Sequence, residues 1–377
     1  MMLVIELPNL KKILSSDESD EEYYWVNSIG HALIRYIEVE IGGNVIDRHY
    51  GMWLNIWSEL STPPGKKDGL YSLIGKTSGF TNIYDNEKDN IKLYIPLYFW
   101  FCKNLGSALP IIALQNSELR INIGIRDINE LVVTKSGNDL TIDQKSRIEI
   151  KNSSLYVSYI FLDDTERKYF AQSRHEYLIE QLQVNPIALN TIGRNPDTEK
   201  AVKISNFEHL VPLEFSHPVK ELIWVLQNSN VISKRDSENN LISYGGNQWF
   251  NYSNKIFTVD ASGLQDIDGM LESAKLLFEG KDRIELRDAD FFRLVQPYLY
   301  HTNVLENNYI YIYSFSEDPE LFQPMGSCNF SRIDNANMLI KLNKDDENIV
   351  NPVITFFAVN YNTLYIEGGL AGIGYSN

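Results

Sequence analysis

Ile37-Glu-Val-Glu-Ile-Gly-Gly-Asn-Val-Ile-Asp47 places an apolar residue at every second position, turns at Gly42-Gly43 and resumes as a short second strand. Just downstream, Trp53, Ile56, Trp57 and Leu60 fall at i, i+3, i+4 and i+7, which predicts a short amphipathic helix over residues 51–60. The same order of parts returns at Ala274-Lys-Leu-Leu-Phe-Glu-Gly-Lys-Asp-Arg-Ile284. A second short helix follows there around Phe291, Phe292, Val295 and Leu299, stopped at Pro297 or shortly after. Each copy then runs into an aromatic strand, residues 94–101 and 309–315, and a loop holding a proline and a glycine. The chain therefore reads as two copies of one β-fold, offset by roughly 210–240 residues.

The rest of the chain is β-rich as well. Leu119, Ile121, Ile123 and Ile125 alternate with polar residues, and residues 353–357 form a further apolar strand. The near-continuous apolar run 155–162 suits a strand buried on both faces. Residues 165–172 predict a third short helix, and long polar loops are expected at 15–22, 62–79, 84–90, 185–200 and 228–247. Antiparallel β-domains of this size close as sandwiches or jelly rolls. The expected fold class is thus all-β, two tandem jelly rolls with short helices in the loops, divided as residues 1–170 and 171–377.

The 377 residues are 44% hydrophobic, enough for a sizeable core, and carry a formal net charge of -16, which repels nucleic acid and anionic lipid. No stretch is long and apolar enough to span a bilayer, and residues 1–14 lack the basic start of a secretory leader. The two cysteines, Cys102 and Cys328, have neither metal nor redox spacing. Gly69-Leu-Tyr-Ser-Leu-Ile-Gly75-Lys76-Thr77 has five residues between its glycines where a phosphate-binding loop has four. The six histidines are not at metal-ligand spacing, and Asp47-Arg48-His49 suggests an Asp47–Arg48 ion pair at a strand end. These patterns assign no catalytic residue, no metal site and no cofactor, so an enzyme is not expected. The aromatics lie inside apolar runs, which favours core packing over a carbohydrate-binding face. Asn152-Ser-Ser, Asn251-Tyr-Ser and Asn329-Phe-Ser are candidate glycosylation sequons.

Several long blocks resemble the major capsid proteins of nucleocytoplasmic large DNA viruses. They are residues 25–60, with Asn44-Val-Ile-Asp-Arg-His-Tyr-Gly-Met-Trp53; residues 93–114, with Lys103-Asn-Leu-Gly-Ser-Ala-Leu-Pro110; and His217-Pro-Val-Lys-Glu-Leu-Ile-Trp-Val-Leu226. Gln323-Pro-Met-Gly-Ser-Cys-Asn-Phe-Ser-Arg-Ile-Asp-Asn-Ala336 and the tail Gly369-Leu-Ala-Gly-Ile-Gly-Tyr-Ser-Asn377 belong to the same likeness. The resemblance implies a double jelly roll, a homotrimer forming a pseudo-hexagonal capsomer, and an icosahedral shell. The implied partners are the chain itself, neighbouring capsomers and minor capsid proteins. No direct nucleic-acid contact is implied, and the inner viral membrane lies nearby without being entered. The implied location is the virion capsid, assembled in the host cytoplasm. The alternatives are a minor capsid or scaffold paralogue and, in another class, a carbohydrate-binding β-sandwich protein. One departure stands out. If residues 3–8 match residues 222–227, the first roll lacks the counterpart of the strand expected at 175–184 and exposes a sheet edge, which implies either a truncated sequence or a strand supplied by another chain.

Overall fold

The computed structural model describes residues 1–14, 20–78, 81–85, 90–189, 192–194, 201–203, 207–235, 240–257, 267–343, 349 and 351–375. The first roll holds β1 (Met2–Pro8), β2 (Tyr23–Val26), β3 (Ile34–Ile41), β4 (Asn44–His49), β5 (Ile83–Tyr84), β6 (Asn90–Pro96), β7 (Leu119–Ile125), β8 (Val132–Thr134) and β9 (Asn152–Tyr156). The second holds β10 (His175–Ala188), β11 (Ile192–Arg194), β12 (Ala201–Lys203), β13 (Glu208–Pro212), β14 (Pro218–Gln227), β15 (Leu271–Phe278), β16 (Lys281–Asp288), β17 (Ile310–Ser314), β18 (Cys328–Asn329), β19 (Ala336–Leu342), β20 (Val353–Glu367) and β21 (Leu370–Ile373). Short helices interrupt them: α1 (Leu10–Leu14), α2 (Ile29–Leu33), α3 (Gly51–Ser61), α4 (Lys67–Ile74), α5 (Trp100–Lys103), α6 (Ile142–Ser146), α7 (Asp164–Gln172), α8 (Ser229–Ile232) and α9 (Gln296–Tyr300). A π-helical turn, Phe291–Val295, leads directly into α9, and Pro297 sits in the first turn of α9.

The second roll pairs the sheet β10-β20-β14-β17 with the sheet β13-β19-β15-β16. Trp224, Phe292, Tyr311 and Phe356 fill the space between them, with Trp224 edge-on to Phe292 at 5.1 Å. The matching sheets of the first roll are β6-β1-β9 and β4-β3-β7, each one strand narrower. Among the described residues no strand lies on the outer edge of β9, where β10 lies on β20, nor on the outer edge of β7, where β13 lies on β19.

The two hairpins share one turn. Gly42 and Gly43 have φ of 60° and 85°, and Glu279 and Gly280 have φ of 51° and 73°, the two-residue geometry that matches strand twist. Glu279 holds this left-handed backbone while its carboxylate accepts from the backbone N–H groups of Asp334 and Asn335.

Three expectations are corrected. The run 155–162 is not a doubly buried strand: β9 ends at Tyr156, and Phe161 is 94% exposed. Among the described residues no strand pairs with the outer edge of β9, and the chain instead turns into α7, capped by reciprocal Asp163 and Glu166 hydrogen bonds. The aromatic strand expected over 94–101 stops at Pro96, which cannot donate to the ladder, and α5 follows. The loop expected over 62–79 is largely helical in its described part, residues 62–78. Leu70 and Ile74 are the buried residues of α4, which ends at Gly75 with φ 66°, so Gly69 and Gly75 serve a helix rather than a phosphate loop.

Candidate functional site: the seam between the two rolls

The chemistry-bearing side chains gather where the rolls meet, and α3 is the centre of that seam. The helix has two apolar faces. Leu54 points into the core of the first roll, while Trp53, Ile56, Trp57 and Leu60 belong to the core of the second. Trp53 stacks on Trp57 at 5.4 Å and packs on Phe357 of β20 at 5.6 Å. Gly51 lets the helix start tight against the chain, because a Cβ there would meet the His31 carbonyl oxygen at 2.2 Å. Asn303 holds the other end, its Nδ2 donating to the carbonyls of Glu59 and Leu60 at 3.0 and 3.1 Å.

Two ionic clusters lie beside α3. In the first, the Glu180 carboxylate of β10 accepts from Lys103 of α5 at 2.5 Å and from Lys220 of β14. Lys220 is 0% exposed and donates also to the Pro319 carbonyl at 2.5 Å. The Lys103 ammonium lies 4.5 Å from the Trp57 ring. Burial works to raise the Glu180 carboxyl, but Lys103 and Lys220 outweigh it and hold it below its ordinary range. Burial and the Lys103 charge push the Lys220 ammonium down from its ordinary value, opposed by Glu180 and Glu221. In the second cluster, His301 is held by Glu221 at Nε2 and Glu320 at Nδ1, both at 3.0 Å. Burial alone would lower this imidazole; the two carboxylates reverse that and raise it to about 9. The Trp57 ring meets His301 edge-on at 6.3 Å.

Sequence reasoning passed over this network, although one signal was present. Lys220-Glu221 interrupts an otherwise apolar strand, and two charges in a strand buried on both faces must find partners. The expected Asp47–Arg48 pair is also corrected. Arg48 reaches across the hairpin to Glu38 at 2.6 Å, because strand neighbours point to opposite faces. Asp47 instead contacts His49 at 3.0 Å and accepts from the Leu182 N–H of the second roll at 3.0 Å, adding to the seam. His49 stacks on Phe99 at 4.4 Å.

A strap from the second half crosses the first roll. Tyr244 donates to Glu22 at 2.9 Å, Asn247 to the Asn129 carbonyl at 2.7 Å and the Trp249 indole to the Glu130 carbonyl at 2.8 Å. The three sequons fall in different settings. Asn152 is exposed on β9, and Asn329 is partly exposed. Asn251 is 1% exposed, with its amide donating to Gln248 and the Lys255 carbonyl, so a glycan has no room there in the folded chain. These contacts are directed at holding two rolls in one orientation.

Comparison with known proteins supplies the context. Residues 1–163 match a family model described as major capsid protein N-terminus, and residues 166–372 one described as large eukaryotic DNA virus major capsid protein. A major capsid protein of Phaeocystis pouchetii virus is 34% identical, over 100% of this chain and 86% of that protein. One of Pyramimonas orientalis virus is 36% identical over 92% of this chain and 78% of that protein. Among solved structures, PBCV-1 VP54 fitted into a reconstruction of the virophage Sputnik matches with a TM-score of 0.71 at 25% identity, covering 100% of this chain and 90% of that one. The Faustovirus major capsid protein shares the fold with a TM-score of 0.70 at 13% identity, over 97% of this chain and 85% of that one.

Proposed function

The chain belongs to the major capsid protein family of large eukaryotic DNA viruses and is a structural component of the virion shell, and we propose that three copies close into a pseudo-hexagonal capsomer. The observation that carries the reading is the seam. Two copies of one β-fold are fixed side by side by α3 and two buried ionic clusters, giving one rigid block that presents two similar walls. Three such blocks present six rolls around an axis, and a closed three-fold ring uses heterologous contacts, one patch meeting a different patch. Interfaces of this obligate kind bury on the order of 2,000 Å² or more.

In this reading residues 1–170 and 171–377 are the two rolls, and the role is mechanical, with no catalysis and no cofactor. The partners are further copies, neighbouring capsomers and minor capsid proteins. The charge of -16 keeps the wall away from the genome and leaves any inner membrane unentered. Assembly takes place in the host cytoplasm. Sedimentation of the purified chain across a salt series tests the reading: added salt screens the like charges and should bring a trimer forward. A chain that stays monomeric at every salt and concentration overturns it, and a low copy number in virions would make it a minor shell component instead.

A further inference from the structure

The internal repeat makes a comparison possible within one molecule. Leu54 of α3 and Phe292 of the π-helical turn are both fully buried in their own roll's core, which aligns the two helical segments. Trp57 then corresponds to Val295, Leu60 to Tyr298 and Ser61 to Leu299. On α3 the outward face is covered by the second roll of the same chain. On the second roll the corresponding face is bare: Tyr298 is 77% exposed and Leu299 58%. Isolated apolar residues on a surface need no explanation, but a face whose repeat-mate is a buried interface does.

The receiving side can be read from strand register. Trp53 packs on Phe357, which lies opposite Ile223 of β14. In the first roll the corresponding positions are Ser154, opposite Val4 of β1, and Val4 in turn lies opposite Tyr94 of β6. Paired residues share a face, and Tyr156 joins them two positions further along β9. The Tyr94 and Tyr156 rings lie 6.4 Å apart over this face. In the second roll the same face is buried beneath α3; in the first, Ser154 and Tyr156 are exposed and Tyr94 is partly exposed, while Val4 between them is buried.

We propose that the bare face of Val295, Tyr298 and Leu299 docks on the Tyr94–Ser154–Tyr156 face of a second copy, repeating between chains the contact that α3 makes within one. Donor and receiver lie on different rolls, so the contact is heterologous and each chain offers one of each. Rolls then alternate around a ring, every helix seated on the next sheet. This inference rests on the assembly reading above and specifies the surfaces that reading uses. Asn152 lies opposite Glu6 on the receiving face, so a glycan at that sequon is incompatible with docking.

The test compares wild type with Tyr298→Glu/Leu299→Glu by sedimentation velocity, with thermal unfolding as the control for folding. Both side chains are exposed, so the monomer should melt unchanged while association weakens at least about tenfold. A second arm mixes Tyr298→Cys chains with Tyr156→Cys chains, in a background with Cys102 and Cys328 changed to Ser. Oxidation should link the mixture and leave each variant alone unlinked. If wild type associates and the Glu variant associates equally well, or the mixture fails to cross-link, or Asn152 carries a glycan in assembled particles, the docking inference is overturned while the assembly reading stands. If wild type never associates, both fall.

Discussion

Changing Glu180 to Gln tests the seam most directly. The carboxylate is the counter-charge for Lys103 and for Lys220, and Lys220 has no exposed surface. Glutamine keeps the shape and one acceptor but leaves two ammonium groups facing each other, one of them out of reach of water. Removing one partner of a buried pair costs about 3–5 kcal/mol, mostly the penalty of the charge left behind. For 377 residues, at about 2.1 cal/mol/K of unfolding entropy per residue, that loss lowers the melting temperature by about 4–6 °C. Adding Lys220→Met removes the stranded charge and should recover most of the loss, leaving the double variant within about 1–2 kcal/mol of wild type. Calorimetry and urea unfolding at pH 7 read both numbers. The pH dependence has a fixed sign. The Glu180 carboxyl is held below its ordinary 4.5, so its contribution is present above that pH and lost as the pH falls through the folded value. The gap between wild type and Glu180→Gln should therefore narrow only in acid. A single variant that melts within about 1 °C of wild type at pH 7, or a double variant whose loss is the sum of the two singles, refutes the argument that these charges stabilise the block as a pair.

Other perturbations probe the same seam. His301 is raised from an ordinary 6.5 to about 9, so its contribution is complete below pH 6.5 and lost as the pH climbs to 9, a span of about 3 kcal/mol. His301→Gln should flatten the urea midpoint between pH 6.5 and 9, and an unchanged slope would count against the Glu221–His301–Glu320 cluster. Trp53→Ala removes a ring shared between α3 and β20; it should cost about 3–5 kcal/mol and split one calorimetric transition into two as the rolls uncouple. Gly51→Ala forces a methyl against the His31 and Ile34 carbonyls and should cost roughly 1–3 kcal/mol, measured by chemical denaturation.

Much of the fold was legible because it is periodic and repeated. The Ile37–Asp47 hairpin and its copy at Ala274–Ile284 carry their period of two and their turn glycines openly, and α3 carries its period near 3.6. Composition misled where tertiary context decided. The apolar run 155–162 satisfies every local rule for a buried strand, yet burial needs a neighbour, and β9 has one only on its β1 side among the described residues. The helix α4 was hidden by Pro63 and Pro64 just before it and by Gly69 inside it, since Leu70 and Ile74 are too few to mark a stripe. The seam was least legible of all. Periodicity says that α3 has an apolar face, but not that its two faces serve two different cores. Nor does it show that Lys103 and Lys220, far apart in sequence, would meet at one carboxylate.

The double-sided α3 also bears on how the chain is made. The helix ends at Ser61, whereas its packing partner Phe357 lies in β20, near the other end of the sequence. A ribosome adding about 5–20 residues per second needs roughly 15–60 s to cover that distance. Once β9 has been made, the first roll can condense around Leu54 while Trp53 and Trp57 still face water. In a cell producing shell protein in bulk, many nascent chains display this same sticky ridge at once. The arrangement that makes the finished block rigid thus makes the half-made chain a substrate for chaperones, and ties the yield of usable subunits to how fast translation reaches the last long strand.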